Sequence, residues 1–332
     1  MKILVIFTGG TIGSQAGGEY IALDGKNPYK LIQMYRERYL QAGNNGDNKT
    51  EDVEFYTDTP YTVLSENMDC AMYFRLARAV RRSVDSYDGI IVTHGSDTLQ
   101  YSAAMLSYVL GNIGIPVMVV ASNYVLEDER ANGLINFACA VEFIKKGCGR
   151  GVYVPYANDG ENCKVHYALK LMPHVMYSDY LYSLDDDCYG EFRDGVFCLS
   201  QPDCEKNNNL PDAEIDSLLP LSDDGDDESV RDCSGILWIN VHPGMVCPRL
   251  TKEVKAVLIS AYHSGTVCVE YPPFAGMLEE ARRNGIPVYL AGAYEGKDYE
   301  SCREYEAMGI RVLEKVSPSA AYIRLWLEYG LG

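Results

Sequence analysis

Basic residues are scarce in this chain of 332 residues: 29 Lys and Arg stand against 47 Asp and Glu, a formal charge of −18. Binding a phosphate backbone needs clustered Lys and Arg, so nucleic acid is not expected as a partner. An anionic membrane surface is not expected for the same reason. Long apolar runs are missing too. The longest, such as Pro116 to Ala121, fall far short of the roughly 20 residues that span a bilayer. The chain enters a strand at Lys2 and a glycine turn at Thr8, so no secretory leader is read and a cytoplasmic protein is expected. The 11 cysteines are scattered, without any C-x-x-C pair or zinc-ligand spacing to histidine. They read as reduced thiols used as small buried hydrophobes, and a structural metal site is not expected.

Apolar residues are plentiful, at 47% of the sequence with 11% aromatic, enough at this length for two domains with cores of their own. Strand-like runs at Ile3–Phe7, Val53–Thr57, Gly89–Thr93, Val117–Ala121 and Gly151–Tyr156 alternate with helical patterns near Tyr29–Gln41, Cys70–Ser86, Asp97–Leu110 and Gly133–Lys146. Such alternation predicts an α/β fold, a mainly parallel sheet covered on both faces. Residues 1–201 form this larger domain.

Residues 202–232 carry eleven acidic residues against Lys206 and Arg231. Their Asp run lacks the order of a calcium loop, so the stretch reads as a solvated linker. Residues 233–332 predict a smaller α/β domain. Strands are expected at Gly235–Val241, Thr266–Val269 and Pro287–Ala291, with helices near Lys252–Tyr262, Phe274–Asn284 and Ala320–Glu328.

Two short segments carry the chemistry. Thr8-Gly9-Gly10-Thr11-Ile12-Gly13 follows the first strand, and Thr93-His94-Gly95-Ser96-Asp97-Thr98 follows the strand at Gly89. In a parallel sheet, such turns can meet at the carboxyl ends of their strands, where ligands bind. The first turn has no Lys where a P-loop needs one, and its glycines miss the dinucleotide register. Two turns rich in hydroxyls therefore point to nucleophilic chemistry.

A threonine hydroxyl needs a base or proton relay to attack at neutral pH. Tyr20 lies nine residues past Thr11 on a glycine-containing segment, Asp97 adjoins Ser96, and Lys164 closes the polar run after the strand ending at Tyr156. Lowered by burial, the Lys164 amine could accept or pass a proton. Backbone N–H groups of the turns could stabilise an oxyanion. Each residue has a plainer reading: Lys164 as a surface lysine, Tyr20 as one tyrosine of 26, His94 as a hydrogen-bonding spacer, and Asp97 as a helix cap. The set carries the case.

That set resembles the signature motifs of the bacterial-type L-asparaginases, usually written TGGTI and HGTDT. The likeness extends through Leu64-Ser65-Glu66-Asn67-Met68, Asn132-Gly133-Leu134-Ile135-Asn136 and Cys163-Lys164-Val165-His166. It implies an amidohydrolase without cofactor, acting on a small amino-acid substrate and forming homo-oligomers. Thr11 would be the nucleophile with Tyr20 moving its proton. Ser96, Asp97 and Lys164 would form a second hydroxyl–carboxylate–lysine cluster. Ser65, Glu66 and Gly95 would bind substrate, with Asp97 sharing its α-amino and α-carboxylate groups.

The chain departs from the pattern at Ser96 for threonine, Leu64 for aspartate, Ala121 for glycine and Asn132 for aspartate. Around Tyr262-His263-Ser264-Gly265 it lacks the family's glycine-asparagine turn, which usually completes a neighbouring subunit's site. A glutaminase or related amidase of the same fold, such as the tRNA-dependent amidotransferase component, is the alternative. A non-catalytic amino-acid-binding module is another.

Overall fold

A computed structural model describes residues 1–16, 21–23, 29–40, 53–200, 234–294 and 299–330. It divides into two compact units, Met1–Ser229 and Val230–Gly332. The acidic stretch lies outside the described residues.

The larger unit opens with β1 (Lys2–Phe7), a short hairpin of β2 (Ser14–Ala16) and β3 (Ile21–Leu23), and α1 (Lys30–Tyr35). There follow β4 (Glu54–Asp58), α2 (Cys70–Arg81), β5 (Gly89–Thr93), α3 (Leu99–Leu110), β6 (Pro116–Val120), α4 (Gly133–Lys145) and β7 (Gly151–Ala157). The last three strands are β8 (Cys163–Tyr167), β9 (Gly190–Arg193) and β10 (Val196–Leu199). The sheet runs β10-β9-β8-β7-β6-β5-β1-β4, parallel from β4 to β7 and antiparallel beyond.

The central strands β5 and β6 are buried along their whole length, which is why they read as unbroken apolar runs. Alternate residues feed two cores. Val5, Phe7, Ile91 and Val120 pack with α1 and α4, while Leu4, Ile6, Val92 and Val119 pack with α2 and α3. The chain leaves β1 outward to β4 and returns to place β5 on its other side. The carboxyl ends of β1 and β5 thus flank the topological switch point, where a crevice opens in sheets of this kind.

The β6–β7 ladder pairs only Pro116–Met118 with Gly151–Tyr153. Past it, the buried Asn136 of α4 donates through Nδ2 to the Ala121 carbonyl at 3.0 Å and accepts from the Ala157 N–H at 2.8 Å. Its amide bridges two backbone groups that would otherwise lie buried and unpaired.

The strands β8 to β10 lie in a segment with no strand expected from the sequence. Two helices are also shorter than their patterns suggest. Residues Arg36–Leu40 continue α1 as a π turn, and α2 stops at Arg81. Eight described cysteines are free, but Cys70 is disulfide-bonded, which corrects the wholly reduced reading.

The smaller unit is a parallel sheet of β11 (Ile236–Asn240), β12 (Ala256–Ser260), β13 (Val288–Ala291) and β14 (Ile310–Leu313), in that order. Its helices are α5 (Pro272–Asn284), α6 (Glu300–Arg303) and α7 (Pro318–Leu325). Two expectations fail here. Lys252–Tyr262 is not a helix but contains β12, whose first four residues, Ala256 to Ile259, are buried. Thr266–Val269 is irregular, and β14 stands where the sequence predicts no strand.

Candidate active site

Three turns interlock at the carboxyl edge of the larger sheet. The first follows β1: the Gly10 N–H donates to the Val63 carbonyl at 3.1 Å, and Val63 N–H donates to the Thr8 carbonyl at 3.0 Å. Gly9 adopts φ +106° and Gly10 φ +73°, a backbone region costly to side-chain-bearing residues. The second turn carries Ser65, and the Thr98 hydroxyl donates to the Ser65 carbonyl at 3.1 Å. The third turn follows β5. There the Thr8 hydroxyl donates to the Thr93 carbonyl at 2.7 Å, and His94 N–H reaches the Val120 carbonyl at 2.8 Å.

Glycines let these turns touch. A methyl on Gly10 would fall within 3.0 Å of Gly95 backbone atoms, and one on Gly95 would strike the Ser65 side chain. Gly95 thus brings the second and third turns together. One residue beyond that contact stand Thr11, half-buried at the head of a 3-10 turn (Thr11–Gly13), and half-buried Ser96. Ser65 is buried, while Glu66 and Asp97 are exposed. Tyr20 lies outside the described residues.

His94 resolves between its two readings. Its Nδ1 lies 2.8 Å from the Gly95 carbonyl, which only accepts, so Nδ1 carries the proton and Nε2 accepts from the Ser102 hydroxyl at 2.7 Å. Burial pushes it down to about 4, so it stays neutral as a spacer between β5 and α3. Asp97 does not cap α3. The cap residue is Thr98, without a side-chain cap bond, which leaves the Asp97 carboxylate free of that task.

Lys164 lies on β8 directly opposite Tyr156, near the carboxyl edge as expected. Its ion-pair partners among the described residues are Glu161 and Asp186, each at 3.5 Å. Burial lowers its pKa, but Asp186 and Glu161 outweigh that and the net shift is upward. The expectation of a lysine lowered by burial is therefore corrected: Lys164 is held as a cation.

Sequence reasoning gives no role to two histidines nearby. His166, two residues past Lys164 and so on its face of the strand, is fully buried and bonded through Nδ1 to the Ser183 hydroxyl at 2.7 Å. Burial drives it down to about 3, with Lys164 and His174 adding to the effect. His174 sits on a loop closed by the antiparallel bridge between Leu171 and Ser183, its ring edge-on to Tyr156 at 5.2 Å. Both ring nitrogens are buried. Burial lowers its pKa from the ordinary value, while a backbone hydrogen bond at Ser96 and the charges of Asp97 and Asp179 pull the other way. Nothing in the spacing of Pro173-His174-Val175 signals this placement; only the fold does.

Residues 2–171 match the family model described as "Asparaginase, N-terminal". The chain belongs to the asparaginase family. Membership makes it an amidohydrolase by class. Among its relatives, the L-asparaginase of Thermococcus kodakarensis is 26% identical over 330 residues, 95% of this chain and 86% of that one. A glutamyl-tRNA(Gln) amidotransferase chain of Methanosarcina mazei is 30% identical over 172 residues, 51% of this chain but only 38% of that one. The solved structure of the Thermococcus kodakarensis enzyme superposes with a TM-score of 0.71 at 21% identity, covering 99% of this chain and 93% of that one, a likeness of fold.

Among the described residues no helix is long and apolar enough to cross a membrane. No described group of three or more His, Cys, Asp or Glu could hold a metal ion.

Proposed function

We propose that the chain is an L-asparagine amidohydrolase that releases aspartate and ammonia through an ester at Thr11. The observation that supports this reading is the close approach of Gly10 to Gly95 and of Gly95 to the Ser65 side chain, with Thr11 and Ser96 the next residues in the chain after the two glycines. In this mechanism the Thr11 hydroxyl oxygen bonds to the side-chain amide carbon, and its proton passes by way of Tyr20 to the departing ammonia. Water then attacks the ester carbonyl, releasing aspartate and restoring the Thr11 hydroxyl. The Gly10 and His94 N–H groups are already spent on Val63 and Val120, so oxyanion donors would come from later residues of the two turns. Ser65, Glu66, Gly95 and Asp97 would hold the amino-acid end, with Asp97 facing the ammonium group. Ser96 and the cationic Lys164 would act on the second side. A homo-oligomer acting in the cytoplasm completes the reading; the eight free thiols among the described residues agree with that compartment, and the Cys70 disulfide weighs against it.

A second reading, a glutaminase or another amidase of this fold, draws on the relatives named as glutamyl-tRNA(Gln) amidotransferase components. The test compares ammonia release from L-asparagine and L-glutamine in the wild type and Thr11→Ala. Release from asparagine that disappears in the variant supports the proposal, and release from glutamine alone favours the second reading. Aspartate binding without turnover of either amide would leave an amino-acid-binding module.

A further inference from the structure

We propose that Thr98 is a positioning residue for substrate recognition, an extension that rests on the function proposed above. Its hydroxyl ties the turn that carries Ser65 and Glu66 to the turn that carries Asp97. Thr98 stands at the N-cap of α3, where its carbonyl accepts from Tyr101 N–H at 3.2 Å and from Ser102 N–H at 3.1 Å. A threonine at such a position ordinarily turns its side-chain oxygen onto the N–H groups of the first helical turn. Here no side-chain cap bond forms. The hydroxyl donates instead to the Ser65 carbonyl at 3.1 Å, across 33 residues of sequence.

The Ser65 carbonyl is thereby filled from two sides. Met68 N–H donates to it at 3.2 Å at the close of the 3-10 turn Ser65–Asn67, and Thr98 takes its other lone pair. The Ser65 side chain is held as well, since a methyl on Gly95 would fall 2.3 Å from its hydroxyl oxygen. Ser65 thus meets the third turn at two points, Gly95 and Thr98, which bracket Ser96 and Asp97 in the chain.

The third turn is itself held from α3. The Gln100 amide donates to the Asp97 carbonyl at 3.3 Å, and the Ser102 hydroxyl bonds to the His94 ring at 2.7 Å. Gln100, Ser102 and His94 are all buried. Thr98 extends this support from α3 to the neighbouring turn.

In the proposed function Ser65 and Glu66 help to hold the amino-acid end of the substrate, and Asp97 faces its ammonium group. The ammonium and carboxylate groups leave one α-carbon, so the residues that receive them must keep a set separation. Thr98 fixes that separation without touching the substrate. Its loss weakens the grip on the amino-acid end more than the chemistry at the side-chain amide, which raises KM and spares kcat.

The test uses the full-length wild type, Thr98→Val, which removes the hydroxyl at nearly equal size, and Thr98→Ser, which keeps it. Thr98→Ala replaces Thr98→Val if the added methyl does not fit. With the better amide substrate, KM should rise about three- to tenfold in Thr98→Val, the loss of one hydrogen bond, with kcat changed by less than about twofold. Thr98→Ser should restore KM. A wild-type KM in Thr98→Val, a loss carried by kcat alone, or a KM that Thr98→Ser leaves raised overturns the proposal. The second arm needs no turnover: calorimetry compares binding of L-aspartate with that of succinate, which lacks the ammonium group. The wild-type preference for aspartate should shrink in Thr98→Val and return in Thr98→Ser. An unchanged preference, or a wild type without one, overturns the proposal whatever the activity. A preference that shrinks as expected in a protein that hydrolyses neither amide upholds the positioning role and sinks only the hydrolase reading.

Discussion

Gly10 and Gly95 meet backbone to backbone, with no room for a Cβ at Gly10 and none at Gly95 without striking Ser65. Two segments eighty-five residues apart in sequence are thereby held in contact, with the Ser65 side chain of the second turn against Gly95. Gly95→Ala tests this directly, because the only change is an added methyl and Gly95 is not among the positive-φ glycines. Overpacking of this sort costs about 1–3 kcal/mol. Urea unfolding should show that loss, and kcat/KM should fall more than stability alone explains, since Thr11 and Ser96 are displaced together. A variant with wild-type stability and activity would show that the contact is looser than described.

Asn136 holds the carboxyl ends of β6 and β7 together through two hydrogen bonds. Asn136→Leu keeps the branched side-chain shape, though in a larger volume, and leaves the Ala121 carbonyl and the Ala157 N–H buried and unpaired. Each such loss costs about 1–3 kcal/mol. The unfolding midpoint in urea should drop accordingly. Asn136→Asp should be no better, because a carboxylate can accept from Ala157 but cannot donate to Ala121 when ionised.

Acid should weaken the fold through its buried imidazoles. His94 and His166 titrate near 4 and 3 when folded and near 6.5 when unfolded. Their stabilising contribution is complete above about pH 6.5 and is lost progressively as pH falls through the folded values, because the unfolded chain binds the extra protons. In that window each group changes stability by up to about 1.4 kcal/mol per pH unit. Unfolding measured from pH 7 to pH 4.5 should therefore show a shallower pH slope in His94→Gln than in the wild type. Equal slopes would mean that His94 is not held neutral.

What the sequence reveals follows from which interactions are local. Unbroken apolar runs mark β1, β5, β6 and β7, since strands buried on both faces cannot hide that pattern. The paired turns mark the crevice because hydroxyls and glycines cluster there in the chain itself. β12 escapes such a reading since Ala256-Val257-Leu258-Ile259 is as compatible with a buried helix as with a strand, and length alone has to arbitrate. β8 to β10 escape it because each is set by pairing onto the strand before it, β8 on β7, β9 on β8 and β10 on β9, and not by its own alternation. Lys164 falls at the expected edge, yet its charge state depends on Asp186, which sits twenty-two residues away. His174 depends on a loop closed by Leu171 and Ser183, which no local pattern announces.

Lys164 provides the last prediction, and its sign follows from its partners. Asp186 and Glu161 hold its folded pKa above the ordinary value of 10.5. The stabilisation is therefore fully present below the unfolded pKa and is lost only as pH rises through the higher folded value. A rate profile from pH 7 to 10 should accordingly show no inflection from Lys164 in the wild type. Asp186→Asn removes the larger of the two attractions and leaves burial opposed chiefly by Glu161, so the lysine should titrate at lower pH. If Lys164 serves as the cation beside Ser96, kcat/KM in that variant should fall at a lower alkaline pH than in the wild type. If its protonated form is irrelevant to turnover, the NMR titration of its amine will move while the rate profile does not, and the role assigned to Lys164 in the proposed mechanism must be withdrawn.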